Sequence, residues 1–312
     1  MISVIICSVN ELLRGSLIKN IDKTIGVEYE VLVVENEKLN YSISKAYNMR
    51  AAEANYPYLV FVHEDVVFHT PDWGLRLLAH FEATKSRLIG VLGCTVKTRT
   101  FSSVNIPYLK LNRQLNRQNQ LQRYENGSVD HFYANPLGEE RSDVCVLDGL
   151  FIASTKTAWE ETKFSEEDLP GFHGYDIDFS LKNYQFGKLY VVYDILIEHF
   201  SLGSFSKAWV DTQFFLSQKW RNFLPVFVEG ITKEDVRNAE AVNLLESLNF
   251  LTQLRYKKRL QLVCLFKLFL LDPRFYRYHP LARKVVLGSQ LGRAIKRVLR
   301  KLRSSVSPQI VP

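Results

Sequence analysis

The chain predicts an α/β fold with a doubly wound, mostly parallel central sheet, and three observations point there. Its early strands read as continuous apolar runs, the pattern of strands covered on both faces. Segments of helical spacing separate those runs, so strand and helix alternate along the first half. The 312 residues are 46% hydrophobic and 23% charged, the composition of an ordinary folded protein with ample material for a core.

Each element follows in order. "ISVIICSV" is an apolar strand, and Glu11 to Ile25 is the helix after it. "YEVLVVEN" is a second strand of the same kind. Ser44 to Ala54 has helical spacing, with Ser42 or Ser44 as its cap. "YLVFVHEDVVF" is a third buried strand, and Pro71 opens the helix of "PDWGLRLLAHFEAT". "RLIGVLGCTV" gives another strand. Residues 99–143 break the rhythm: "LKLNRQLNRQNQLQRYENGS" is polar, too long for an ordinary connection, and is expected to be a mobile loop or short helix over a site. "VCVLDGLFIAS" resumes as strand, "GYDIDFSLKNYQFG" looks helical, "KLYVVYDILIEHF" is strand, and residues 207–250 look helical.

Charge is unevenly distributed. The net +7 hides a tail, residues 251–312, with 15 Lys and Arg against the single acid Asp272; the rest holds 25 basic and 32 acidic residues. Such a tail is expected to meet an anionic surface. In "QLGRAIKRVLRKLRSS", Leu291, Ala294, Ile295, Val298, Leu299 and Leu302 share one helical face, and basic residues fill the other. That is the pattern of an interfacial membrane helix. A nucleic-acid partner is disfavoured, because the body is net acidic. "RLQLVCLFKLFLLDP" is apolar but short of the roughly 20 residues a membrane span needs. The four cysteines, Cys7, Cys94, Cys145 and Cys264, form no CxxC pair, which suits a reducing cytosol and argues against a disulfide framework or a structural zinc site. The opening "MISVIICSVNELL" lacks the basic n-region of a signal peptide and reads as strand.

Three constellations could carry chemistry. His63, Glu64 and Asp65 end a buried strand, and burying three ionisable groups is costly unless they hold something. At the carboxyl edge of a parallel strand, where open α/β sheets bind ligands, Asp65 and His63 offer donors for a divalent ion. The competing reading is a solvated strand end paired with lysines. Asp176 and Asp178 would share a face on a strand but diverge by about 200° on a helix. Either a helix cap or a general base would explain Asp176. His199 joins the first group only if its strand returns to the edge carrying Asp65. No phosphate loop of the G-x-x-x-x-G-K-[ST] type, dinucleotide fingerprint or nucleophile elbow is present.

Together, "ISVIICSVN", "YEVLVVEN", "SKAYNMRAAEANYPYLVFVHEDV", "LDGLFIAS" and "HGYDIDFSLK" resemble, in order over residues 2–210, a glycosyltransferase of the GT-A fold. The similarity is to the family-2 type and its bacterial relatives with an H-[QE]-D-V motif. The resemblance implies a Rossmann-like domain over residues 1–210, with 99–143 as an acceptor loop and 211–312 as a helical extension carrying the basic membrane-interface helix. It implies transfer of a sugar from a nucleotide-sugar donor to a hydroxyl of a glycan or lipid-linked saccharide, with inversion, in cell-surface polysaccharide synthesis. It further implies a divalent cofactor, Mn²⁺ or Mg²⁺, and a cytoplasmic location, peripheral at the inner face of the membrane.

Residue by residue, the resemblance puts His63 and Asp65 at the two acids of D-x-D, with His199 as third metal ligand. Donor contacts would come from Cys7, Ser8, Glu35, Asn36, Asn48 and Glu64. Asp148, Gly149 and Tyr175 would face the acceptor, and Asp176 would be the base, with Asp178 as alternative. Two positions depart from the family pattern: His63 stands for the first Asp of D-x-D, and Tyr175 for the Glu before the base. A catalytically inactive domain of the same fold, binding nucleotide-sugar or glycan as a partner subunit, is the alternative these departures leave open. A nucleotidyltransferase would share sheet and metal but needs a basic, glycine-rich phosphate signature that this chain lacks.

Overall fold

A computed structural model describes residues 1–106, 114–201, 203 and 205–271. The chain divides into two compact units, Met1–Ala239 and Glu240–Pro312. The first opens with β1 (Ile2–Ser8), α1 (Glu11–Thr24), β2 (Tyr29–Glu35), α2 (Ile43–Glu53) and β3 (Tyr58–Val62). β1 pairs in parallel with β2 and with β3. The helices start where the sequence offers caps: Asn10 accepts from the amides of Leu12 and Leu13, and Ser42 from that of Lys45. Each satisfies amides that the first helical turn leaves unpaired.

Beyond β3 the chain crosses into β4 (Val66–Phe68), then α3 (Trp73–Thr84), β5 (Leu88–Gly90), β6 (Leu92–Cys94) and β7 (Val96–Lys97). The single strands expected at "YLVFVHEDVVF" and "RLIGVLGCTV" are therefore broken, because each changes sheet midway. β8 (Asn116–Arg123) and β9 (Val129–Ala134) follow, then β10 (Arg141–Val144), β11 (Val146–Leu147), β12 (Phe151–Thr155), α4 (Lys156–Thr162), α5 (Tyr175–Tyr184), β13 (Leu189–Val192) and β14 (Ile197–His199). The unit continues through α6 (Lys207–Lys219) and β15 (Val226–Phe227); α7 (Lys233–Gln253) and α8 (Lys258–Leu271) complete the described residues.

The main sheet has seven strands in the order β10-β13-β5-β12-β3-β1-β2. Only β12 and β10 run against their neighbours, so the α/β, mostly parallel architecture expected from the apolar runs is the one observed. Alternation along β3 shows both faces covered. Val60 and Val62 join a core with Leu17 and Ile21 of α1 and with Trp73 and Leu77 of α3. Phe61 points the other way, 5.0 Å from Tyr47 of α2 and 4.9 Å from Phe164, which stacks on Phe179 of α5 at 4.1 Å. A second sheet, β11-β6-β8-β14-β4 with β9 on β8, receives the strands that leave the first.

The polar stretch expected to be a loop or short helix is, in its described part, an antiparallel hairpin of β8 and β9, paired from Gln118↔Ala134 to Arg123↔Val129. Its polarity has a structural cause. On one face Asn119 holds the Tyr193 carbonyl; on the other, Asn116 bonds the Ile106 backbone while Gln120 and Gln122 line a cavity.

The second unit takes in most of α7 and α8. On α8, Cys264, Leu265 and Leu268 are buried, yet Leu262, Val263, Phe266, Phe269 and Leu270 lie exposed on a shared helical stripe. The basic amphipathic helix expected around residues 288–312 lies outside the described residues. Among the described residues, no helix is long and apolar enough to cross a membrane.

Candidate functional site

The polar triplet sits where the chain leaves the main sheet. The His63 amide donates to the Leu150 carbonyl at 3.2 Å, and the Asp65 carbonyl accepts from the Phe200 amide at 3.1 Å. β14 pairs with β4 so that His199 lies opposite Val66. His199 thus returns to the edge carrying Asp65, the condition its sequence position left open. Its Nε2 stands 3.5 Å from Asp65 Oδ2, and His63 Nδ1 stands 4.0 Å from Asp65 Oδ1. Ligand atoms of His63, Asp65 and His199 all lie within 4.8 Å of one another, close enough to share one cation.

Electrostatics favour that use. Burial would raise the Asp65 carboxyl, but the His199 hydrogen bond, both imidazoles and Ser201 hold it below the usual carboxylate range. It is therefore anionic at neutral pH. Burial pushes His63 below its ordinary value, against the pull of Asp65, so its imidazole is neutral and has a lone pair to give. Its hydrogen bond says where. The Tyr175 hydroxyl donates to the Gly149 carbonyl at 3.2 Å and lies 2.8 Å from His63 Nε2. With its one hydrogen committed, the phenol accepts from Nε2–H, which leaves the Nδ1 lone pair facing Asp65. The two departures from the family pattern are thus bonded to each other.

Asp176 and Asp178 have separate fates, decided by the start of α5. Gly174 precedes the helix at φ +78°, a left-handed turn that suits glycine. Asp176 then falls in the first turn, accepting from the Ile177 amide at 2.9 Å and the Gly149 amide at 3.2 Å, and lines the cavity. Burial, then the facing Asp148 carboxylate, push it up to about 7 against those two donors. Asp178 is 0% exposed. It accepts from Ser165 Oγ at 2.7 Å and Trp220 Nε1 at 2.9 Å, and pairs with Lys219 at 2.8 Å. The alternative base is therefore turned away from the cavity, as the helical divergence requires.

The cavity, about 360 Å³, is lined by His63, Asp148, Gly149, Tyr175, Asp176 and His199 among others. None of the six expected donor contacts lines it. Glu64 instead braces the β1–α1 turn, accepting from Ser8 Oγ at 2.6 Å and from the amides of Val9 and Asn10. Asn36 clamps both the amide and carbonyl of Tyr41. Glu35 is exposed and pairs with Arg14 at 3.3 Å. Burial, then Glu64, push the Cys7 thiol up to about 11, so it is no nucleophile. Asn48 is taken from the site altogether: it donates to the Phe164 carbonyl and Glu166 and accepts from Trp159 and the Phe164 amide. Its bonding capacity is used inside the core. Sequence reasoning missed Asn105, Gln120 and Gln122 of the cavity wall; the signal was there, as amides at every second position from Asn116 to Gln122.

Comparisons with known proteins concern the chain as a whole. One similar solved structure is GalNAc-T7 with UDP, GalNAc and Mn²⁺, at 13% identity and a TM-score of 0.48, covering 90% of this chain and 58% of that one; this chain thus spans under two thirds of that structure's length. Another is S. aureus TarS in complex with UDP, at 14% identity and a TM-score of 0.42, covering 91% of this chain and 76% of that one. Comparison with curated proteins returns no match. Residues 3–222 match the model of the glycosyltransferase-like family, and the chain belongs to that family.

Proposed function

We propose that the chain transfers a sugar from a nucleotide-sugar donor to an acceptor hydroxyl, with inversion and with a divalent cation held by His63, Asp65 and His199. The observation that carries this reading is one cavity flanked by that cation triad and by a carboxyl, Asp176, poised near neutral pH. Two imidazoles and one carboxylate suit Mn²⁺ better than Mg²⁺, which prefers an all-oxygen shell. When bound, the cation would offset the charge of the departing diphosphate.

The chain's own residues do the rest. Ionised Asp176 takes the proton of the acceptor hydroxyl, as a base with a value near the working pH does best. That oxygen bonds to the anomeric carbon as the bond to the diphosphate oxygen breaks on the far side, and the configuration inverts. Gly149 and Ile177 hold the carboxylate in place through their amides. The nucleoside is assigned to the carboxyl ends of β1 and β2, around Cys7, Ser8, Glu35 and Asn36.

Calorimetric titration with UDP, GDP, dTDP and CMP, in Mn²⁺, Mg²⁺ or EDTA, tests the reading. One nucleotide should bind, and EDTA should abolish it; binding indifferent to EDTA would remove the cation from the site. Asp65→Ala should lose Mn²⁺ affinity outright. Tyr175→Phe, which frees the His63 tautomer, should weaken it about tenfold, the range for losing a partner that orients a ligand. Free Mn²⁺ measured by electron paramagnetic resonance reads both; equal affinity in Tyr175→Phe would end the clamp assignment.

Peripheral attachment to an anionic membrane, inner-leaflet in a cytoplasmic setting, completes the reading, together with a lipid-linked saccharide acceptor in polysaccharide synthesis. It is supported by α8, where Phe266 is 63% and Leu270 62% exposed and Lys257, Lys258, Arg259 and Lys267 supply positive charge. Basic residues near an anionic leaflet contribute about 1 kcal/mol each. Phe266→Glu with Leu270→Glu should reduce sedimentation with phosphatidylserine vesicles, and undiminished binding would exclude α8 as the contact.

A further inference from the structure

We propose that the amide-bearing wall of the cavity is a sugar subsite, in which Gln120 and Asn105 accept hydrogen bonds from hydroxyls of one sugar ring. The proposal rests on the glycosyl-transfer reading of the same cavity and adds which wall recognises carbohydrate. β8 sets Asn116, Gln118, Gln120 and Gln122 on one face. Two of these amides are occupied. Asn116 bonds both the amide and the carbonyl of Ile106, each at 2.9 Å, which fixes the segment carrying Asn105. Gln122 donates to the carbonyls of Arg123, His199 and Ser201, tying β8 to the cation edge. Gln120 lies between them, 7% exposed, with an Oε1 that has no partner, and Asn105 Oδ1 has none either. Both residues line the cavity.

A buried carbonyl oxygen left unpaired calls for a donor. The ligand that meets this wall therefore brings hydrogens. Among the described residues the lining contains no Lys or Arg, so away from the cation edge this wall offers an anionic group no basic side chain. Phe172, Phe205 and Trp209 add aromatic surface to the same cavity, suited to the C–H face of a ring. Hydroxyl donors on one edge and an apolar face on the other describe a sugar. That sugar is either the acceptor or the one carried by the donor, and the experiment separates these.

The full chain, with Mn²⁺ and the nucleotide-sugar whose nucleotide it binds, is assayed for nucleotide release to water, to a panel of p-nitrophenyl glycosides and to a Ser/Thr peptide. A glycoside should accelerate release and the peptide should not. Gln120→Leu should raise KM for that glycoside roughly tenfold or more, the scale of one lost buried hydrogen bond, with kcat little altered. Asn105→Ala, on a half-buried loop, should act in the same direction and stands in if Gln120→Leu fails to fold. If instead affinity for the nucleotide-sugar falls while that for the bare nucleoside diphosphate holds, the subsite stands and its occupant is the donor sugar. Unaltered KM and donor affinity in both variants, or transfer to the peptide alone, overturns the subsite while leaving glycosyl transfer intact. No cation-dependent nucleotide release under any condition would overturn the transfer reading, and the subsite with it.

Discussion

Asp176→Asn should lower turnover by about 10²–10⁴-fold, the usual contribution of a positioned base, while nucleotide affinity holds. Retained turnover within tenfold of the parent would remove Asp176 from the chemistry. In the unaltered protein, kcat/KM should rise with pH through about 7 and then level, because only the ionised carboxyl accepts a proton. Stability should move oppositely. A carboxyl raised from 3.8 to about 7 keeps its proton in the folded state at pH values where the unfolded chain has lost it. Its stabilising contribution is complete below pH 3.8 and disappears as pH rises through about 7. Asn cannot ionise, so the variant should melt higher than the parent at pH 8, with an advantage that shrinks as pH falls below about 7 and is gone only below pH 3.8. A residue whose removal stabilises the fold and abolishes the reaction is retained for the reaction.

Asp178→Ala should do the reverse. Removing this carboxylate leaves the Trp220 indole N–H without its acceptor at a fully buried position and takes one partner each from Lys219, which keeps Asp168 at 2.7 Å, and Lys182, which keeps the Thr162 and Lys163 carbonyls. Breaking such a buried pair costs about 3–5 kcal/mol; both lysine side chains remain 23% accessible, which places the loss toward the lower end. Urea unfolding should show a clearly lower midpoint, and the folded fraction should keep its turnover. If turnover vanished at unchanged stability, the roles of the two aspartates would have to be exchanged.

These two residues also mark where sequence legibility stops. The α/β architecture could be read because "VIICSV", "VLVVE" and "YLVFV" are apolar on both faces, and only a covered sheet accommodates that. The convergence of His63, Asp65 and His199 could be read only conditionally, since β14 had to return to one edge, which register decides and composition does not. Choosing between Asp176 and Asp178 required the helix start, set by Gly174. The β8 hairpin was misread because strand propensity is judged by apolar alternation, whereas β8 carries amides at every second position, of which Asn116 and Gln122 hold backbone and Gln120 and Gln122 line a cavity. Asn48 and Glu64 were legible as polar residues in a suggestive place. Whether such groups serve a ligand or a neighbouring loop depends on contacts more than 50 residues away in the chain.

The phenol of Tyr175 occupies the space a side chain at position 149 would need, so residue 149 is confined to glycine, and the same phenol orients His63. Positions 63, 149 and 175 therefore depend on one another directly. Restoring the acid of the common pattern at 175 alone would leave His63 with neither its orientation nor its tautomer. Restoring Asp at 63 alone would leave a tyrosine beside a second carboxylate. Exchanged together they should cost far less than the sum of the separate changes, the mark of sites in direct contact. A lineage could cross between the two versions of this site only by a paired step or through a poor cation binder.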